Sequence, residues 1–231
     1  MTSIDTRFPA TRGGGRRPEI VALACSLFRE RGYHGVGMRA IAEAAHMQAA
    51  SLYHHFTNKE ELLLQAIFVV DRDLIVEQLP LLDGPGSHAE RLALLVRAHV
   101  VHIGNNRDAW WVAGRELRAL SPANLDTVQG YRRRYQHRIA EFIDDGVRAG
   151  EFVCDDSRLA TIAILDMLNG LNEWFSPAGR YTIEELADRY VQMVLRQLAG
   201  SPPGDGPQPG RVAAPNDASS PPSTATVDPV M

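Results

Sequence analysis

Apolar residues recur at helical spacing from about residue 18 to residue 200, and no segment alternates with the period of a strand. Ile20, Leu23, Ala24, Leu27 and Phe28 fall at i, i+3, i+4, i+7 and i+8, the stripe of an amphipathic helix. Pro18 suits its first position and Gly32 its end. A shorter pattern follows. Ile41, Ala42 and Ala45 make one apolar side, His46, Met47 and Gln48 interrupt it, and Met47, Leu52 and Phe56 resume it. That phase turns Gln48, Ala49, Ser51, Tyr53 and His54 outward. Two short helices joined by a three-residue turn predict a helix-turn-helix, whose second helix enters the major groove of DNA.

The same reasoning divides the rest of the chain. A long helix from Lys59 to about Leu79 is predicted to stop at Pro80, before a loop over Leu82–Gly86. Ser87 with Glu90, and Thr182 with Glu185, carry the spacing of a capping box. They open helices running to about Gly104 and to Gly200. Between them, helices are predicted from Asp108 to near Leu120, from Ser121-Pro122 to Ala149 with Gly150 as C-cap, and from Asp156 or Ser157 to Phe175. The expectation is an all-α chain of nine helices. Its divisions are a disordered basic arm (1–17), a helix-turn-helix domain (18–58), a ligand-binding and dimerisation body (59–200) and a disordered tail (201–231). The tail is rich in Pro, Ser, Ala and Gly and too poor in large apolar residues to offset the entropy of ordering.

Charge sharpens the division. The chain carries net −4, but residues 1–60 hold eight basic against five acidic residues, while residues 61–231 hold 16 basic against 23 acidic. A basic head on an acidic body suits a protein that presents one end to DNA. No apolar run reaches the length of a membrane span, and the polar N-terminus is not a secretory signal, so the expected location is the cytoplasm. Two distant cysteines, Cys25 and Cys154, suggest no disulfide framework, and no motif points to a cofactor.

Asn58 followed by Glu61 reads as an N-cap with a reciprocal acceptor. Lys59 then falls in the first turn, where a cation opposes the helix dipole but, together with the free amides, would attract a DNA phosphate. Tyr53 stands close enough to share that phosphate backbone, and Arg39 either touches a phosphate or pairs with a nearby acid.

The run GVGMRAIAEAAHMQAASLYHHFTNKEELL resembles the DNA-binding segment of TetR-family transcriptional repressors, without a gap. The resemblance implies an all-helical homodimer with a three-helix head, a larger ligand-binding body and a near-palindromic operator in double-stranded DNA. It also implies DNA contacts from Ala49, Ala50, Ser51, Tyr53, His54 and Lys59. Two positions depart from the family pattern. The residue opening the first helix of the motif is Gly37 or Met38 instead of Thr or Ser, and the turn glycine is His46. Histidine is among the types enriched at positive φ.

In the body, polar and aromatic side chains interrupt faces that would otherwise be apolar: His99, His102, Trp110, Trp111, Tyr131, Tyr135, Asn169 and Trp174. Together they suggest a mostly apolar small-molecule pocket with a few polar handles. The alternative is a metal-binding protein or metal-dependent enzyme, with His99 and His102 at i, i+3 and Glu116 as a third ligand. The segment from Arg148 through Glu173-Trp174-Phe175-Ser176-Pro177 to Tyr190 is similar to TetR-type repressors of lipid and steroid catabolism. That similarity implies an acyl-CoA thioester as effector, although the position some members fill with arginine is Glu173. Ile162, Leu165, Leu168 and Leu171, with Ile183, Leu186, Tyr190 and Val194, are expected to form a four-helix dimer interface.

Overall fold

Nine α-helices and no strand make up the described residues, 15–199, of the computed structural model. Most of the predicted arm, the Gly200 stop and the 201–231 tail lie outside them. The head is α1 (Arg17–Arg31), α2 (Met38–Ala44) and α3 (Ala49–His55). The link is α4 (Lys59–Asp73), and the body is α5 (His88–Asn105), α6 (Arg107–Arg115), α7 (Pro122–Arg148), α8 (Ser157–Trp174) and α9 (Ile183–Leu198). The capping boxes at Ser87–Glu90 and Thr182–Glu185 both form, Asp156 caps α8, and Gly150 leaves α7 at φ +75°.

Two elements differ from the sequence pattern. In α1 the fully buried positions are Ile20, Val21, Ala24, Cys25 and Phe28, whereas Leu23 is exposed and Leu27 half-buried. α1 is gripped by α4 and α6 as well as α2, so its buried face is rotated from the simple stripe. The second difference is at Pro80. Proline has no N–H to continue the ladder, yet the helix does not simply stop. It widens into a π turn over Leu74–Gln78 and then tightens into a 3-10 turn over Leu79–Asp83.

The body is built around α5, which buries Leu92, Leu95, Val96, His99, Val100 and Ile103 and touches each of α6, α7, α8 and α9. α9 lies flush on it because Gly104 has no Cβ; a methyl there would collide with Ile183. This packing corrects the expected dimer face. Leu165, Leu168, Leu171, Ile183, Leu186, Tyr190 and Val194 are all buried within the chain, and of the expected set only Ile162 stays open, at 43%. The exposed large apolar residues of α8 and α9 are Leu159 at 63%, Ile162, Trp174 at 56% and Met193 at 54%.

Candidate DNA-binding face and effector cavity

The turn between α2 and α3 is formed as its residues dictate. His46 adopts φ +52°, the single non-glycine residue at positive φ among those described. Its amide donates to Glu43 O at 3.0 Å, and that of Met47 to Ala42 O at 2.9 Å. Leu52 and Phe56 anchor α3 in the core. Gln48, Ala50, Tyr53 (52% exposed) and His54 face outward, while Ala49 and Ser51 are half-buried and Ala49 packs against the core. The outward face is therefore narrower than the sequence phase implied. Arg39 is exposed beside it and makes no hydrogen bond or ion pair with a described residue.

Lys59 has a structural task that the dipole argument did not anticipate. Its ammonium donates to Tyr33 O at 2.9 Å and Val36 O at 3.0 Å and lies 4.1 Å from the centre of the Tyr33 ring. It pins the α1–α2 loop onto α4. Asn58 caps α4 by accepting from the Glu61 amide at 2.8 Å, but the expected reciprocal bond goes elsewhere. The Glu61 carboxylate accepts from the amide and hydroxyl of Thr57, at 2.7 and 2.8 Å, and pairs with Arg17 at 3.2 Å. Thr57, one residue earlier, wins because its amide and hydroxyl converge on the same oxygen.

Four polar contacts tie the head and the start of α4 to the body. Arg29 pairs with Asp108 at 2.7 Å, the Tyr33 amide donates to Glu116 at 3.1 Å, and Glu60 accepts from the Ser121 amide and Asn124 side chain, each at 2.7 Å. The Ser121 hydroxyl, then its amide and the Asn124 side chain, hold the Glu60 carboxyl below its ordinary range.

Inside the body lies a cavity of about 420 Å³ between α4, α5, α6, α7 and α8. His99, Trp110, Tyr131, Tyr135 and Asn169 line it, as the sequence suggested. Trp111, Trp174 and His102 do not. Trp111 follows Trp110 by a 100° helical step and stacks with Arg115, 5.5 Å away. Trp174 ends α8 on its exposed side. His102 stands behind Trp110, accepting from the indole N–H at Nδ1 (2.9 Å) and facing Asp73 Oδ2 from Nε2 at 3.3 Å. The Trp110 contact fixes the tautomer, so Nε2 carries the proton and donates to Asp73.

The cavity also has charged lining groups that the sequence did not place there. Asp71, on α4, is buried and paired with Arg132 at 3.2 Å, and Arg132 also donates to Ala113 O at 2.8 Å. Burial lifts the Asp71 carboxyl to about 6 despite the arginine. Glu173, at the cavity's edge, pairs with Arg115 at 2.5 Å. Asp71 carried no signal of its own, since a single acid in a helix reads as solvated until its neighbours are known.

His99 is sealed, with 1% of its surface exposed. Its Nδ1 lies 3.1 Å from the Tyr135 hydroxyl, its Nε2 lies 3.1 Å from Asn169 Oδ1, and the Tyr135 hydroxyl is 3.1 Å from Gln78 Oε1. Burial lowers the imidazole to about 4, so it is neutral near pH 7, and burial likewise pushes the Tyr135 phenol up. A neutral ring has one donor and one acceptor, so the chain is satisfied in two proton orders, each with one terminal amide turning its NH2 inward. Asn169 and Gln78 are thereby coupled through His99 and Tyr135.

The metal alternative does not survive this geometry. All four ring nitrogens of His99 and His102 face protein partners, and Glu116 is held at the head–body seam. Among the described residues no three His, Cys, Asp or Glu side chains converge as a metal set. Nor is any described helix long and apolar enough to cross a membrane.

A helix-turn-helix head joined by one helix to a hollow helical body is the architecture of a ligand-responsive DNA-binding regulator. Residues 20–66 match the sequence profile described as bacterial regulatory proteins, tetR family, and residues 85–198 that described as tetracyclin repressor-like, C-terminal domain. PfmR, a TetR family transcriptional regulator from Thermus thermophilus, is 30% identical; its crystal structure aligns at TM-score 0.72 over 77% of this chain and 97% of that one. HTH-type transcriptional repressor KstR2 of Rhodococcus jostii (strain RHA1) is 29% identical over 201 residues, 80% of this chain and 92% of the relative. AibR, solved in complex with isovaleryl coenzyme A and operator DNA, is 28% identical at TM-score 0.69, over 78% of this chain and 97% of that one. The chain belongs to the TetR family of bacterial transcriptional regulators.

Proposed function

We propose that this repressor acts as a cytoplasmic homodimer on a near-palindromic operator and is released by an apolar effector with a polar end, an acyl-CoA thioester. The base-reading face in this reading is Gln48, Ala50, Ser51, Tyr53 and His54. Arg39, exposed and uncommitted, supplies the phosphate contact, and Lys59 holds the head in shape behind it.

The cavity takes the acyl part. Its volume lies within the range of small-molecule sites but is too small for a whole coenzyme A thioester. Its two innermost charges, Asp71 and Arg132, neutralise each other, so an uncharged group is favoured inside. The nucleotide portion would remain at the mouth, where Asn169, Asp166 and Glu173 open on the exposed side of α8 and Arg115 would have to leave Glu173 to meet its phosphates. A like organisation is seen for AibR only in the sense that its structure holds isovaleryl coenzyme A and operator DNA together.

The observation carrying this reading is the hydrogen-bonded chain Asn169–His99–Tyr135–Gln78. It starts on the cavity wall and ends in the π turn that continues α4, the helix rooted in the head. A second chain, Trp110–His102–Asp73, also runs from the cavity wall to the end of α4. A thioester carbonyl that takes the Asn169 NH2 selects one proton order and changes what Gln78 receives. Release requires the effector to prefer the packing that does not bind DNA, by about 1.4 kcal/mol per tenfold loss of operator affinity.

The test follows the cavity tryptophan. Isovaleryl and longer acyl-CoAs, free fatty acids and divalent metals are titrated into the operator complex of a Trp111→Phe, Trp174→Phe variant, reading Trp110 fluorescence and DNA anisotropy together. The expected result is that acyl-CoAs quench and release DNA, and that Tyr135→Phe is quenched without releasing it. Release by metals alone, lost in His99→Ala, would overturn the reading.

A further inference from the structure

A second cavity, of about 1000 Å³, lies between α1, α4 and the corner where α5 meets α6, and shares no lining residue with the body cavity. Its middle is apolar, walled by Val21, Ala22, Cys25 and Val69. Burial pushes the Cys25 thiol up to about 12, so this wall is uncharged. Both ends are cationic.

At the body end α6 begins without a side-chain cap, because Asn106 directs its amide to His102 O at 3.0 Å. The first amides of α6 and its dipole are therefore open to an anion. Arg107 stands there, with one amino group on Phe175 O at 2.7 Å and its buried Nε without a partner. Gln65, only 6% exposed, reaches the same cavity from α4 and makes no hydrogen bond with a described residue. Asp108, in the first turn of α6 at this body end, is neutralised by Arg29; at the head end Arg17 is neutralised by Glu61, but Arg16 has only a 3.4 Å contact to Ala45 O. The uncompensated charge of the cavity is positive.

We propose that this groove is a second ligand site, for an amphipathic anion: an apolar chain ending in a carboxylate or phosphate. The anionic end meets Arg107, Gln65 and the start of α6, and the chain lies along Val21, Ala22 and Val69 toward the head. Residues 1–14 precede the lining residue Gly15 and carry Arg7 and Arg12 against Asp5 alone, a charge that does not suit a cationic groove. A ligand here touches head and body at once and biases their packing without entering the body cavity.

The test is calorimetric titration of the full chain, without DNA, by decanoate, decyl phosphate and decanol below their micelle concentrations. Both anions are expected to bind, with decanol at least about tenfold weaker, and the tighter anion identifies the headgroup. Arg107→Gln and the exposed-site variant Ala22→Glu should each weaken the anions at least about tenfold, while Asn169→Leu in the body cavity should leave them unchanged. Equal binding of decanol, loss in Asn169→Leu with Ala22→Glu unaffected, or about tenfold tighter binding after removal of residues 1–14 would overturn the proposal.

Discussion

His99 and Asp71 pull the pH dependence of this fold in opposite directions. The folded-state value of His99 is depressed from 6.5 to about 4, so its contribution to stability is present above 6.5 and lost as the pH falls toward 4. Asp71 is raised from 3.8 to about 6, so its contribution is present at low pH and lost as the pH rises through 6. Between these limits the two largely offset. Replacing His99 by Gln removes one side. Going from pH 7 to 5, the wild type should lose about 2 kcal/mol relative to His99→Gln, measured by guanidinium denaturation. Equal pH slopes would mean that His99 is not held neutral. At this scale the sequence was partly legible. His46 stands where the family pattern has a turn glycine, and the structure gives it the positive φ that histidine takes more readily than most types. Lys59 was legible as unusual but not as a clamp, because its partners are the carbonyls of Tyr33 and Val36, which only the folded loop brings to it. Arg39→Ala should weaken binding to all DNA sequences and lower the salt slope by roughly one unit, whereas Lys59→Ala should cost about 2 kcal/mol of thermal stability. Unchanged melting of Lys59→Ala would remove the clamp from the account.

Helix α4 and its π turn carry the communication proposed for this protein. Asp71, Asp73 and Gln78 are where three polar links from the cavity reach the element that also carries Lys59 and Glu60 at its end nearest the head. The helix was expected to run to about Leu79 and stop at Pro80, but regular α-helix ends at Asp73; the widened turn before the proline was missed, since a π turn has no periodicity of its own over five residues. The turn matters because it points Gln78 inward to Tyr135. Gln78→Leu should leave operator affinity within about twofold, since α3 is untouched, but abolish effector-induced release. DNA anisotropy with and without isovaleryl coenzyme A checks both halves. Normal release in this variant would show that the signal does not pass through the π turn.

For the whole molecule, capping signals and apolar spacing made the all-helical architecture legible, because they are local. The surface proposed for dimerisation was less legible. Apolar residues in α8 and α9 serve both the chain's own core and any partner, and only burial separates the two uses. Leu168 and Val194 are spent on α5, α7 and their neighbours, leaving the patch around Leu159, Ile162, Trp174 and Met193. Ile162→Arg should therefore give a folded monomer by light scattering at micromolar concentration, with operator affinity reduced at least about a hundredfold, because one head covers one half-site. The most direct test of the central claim asks what DNA the intact protein chooses. Selection from a random duplex pool should enrich an inverted repeat with half-sites about one helical turn apart, or multiples of it, and Ser51→Ala or His54→Ala should change the bases selected. Enrichment of no sequence, or equal affinity for selected and random duplexes at physiological salt, would contradict it.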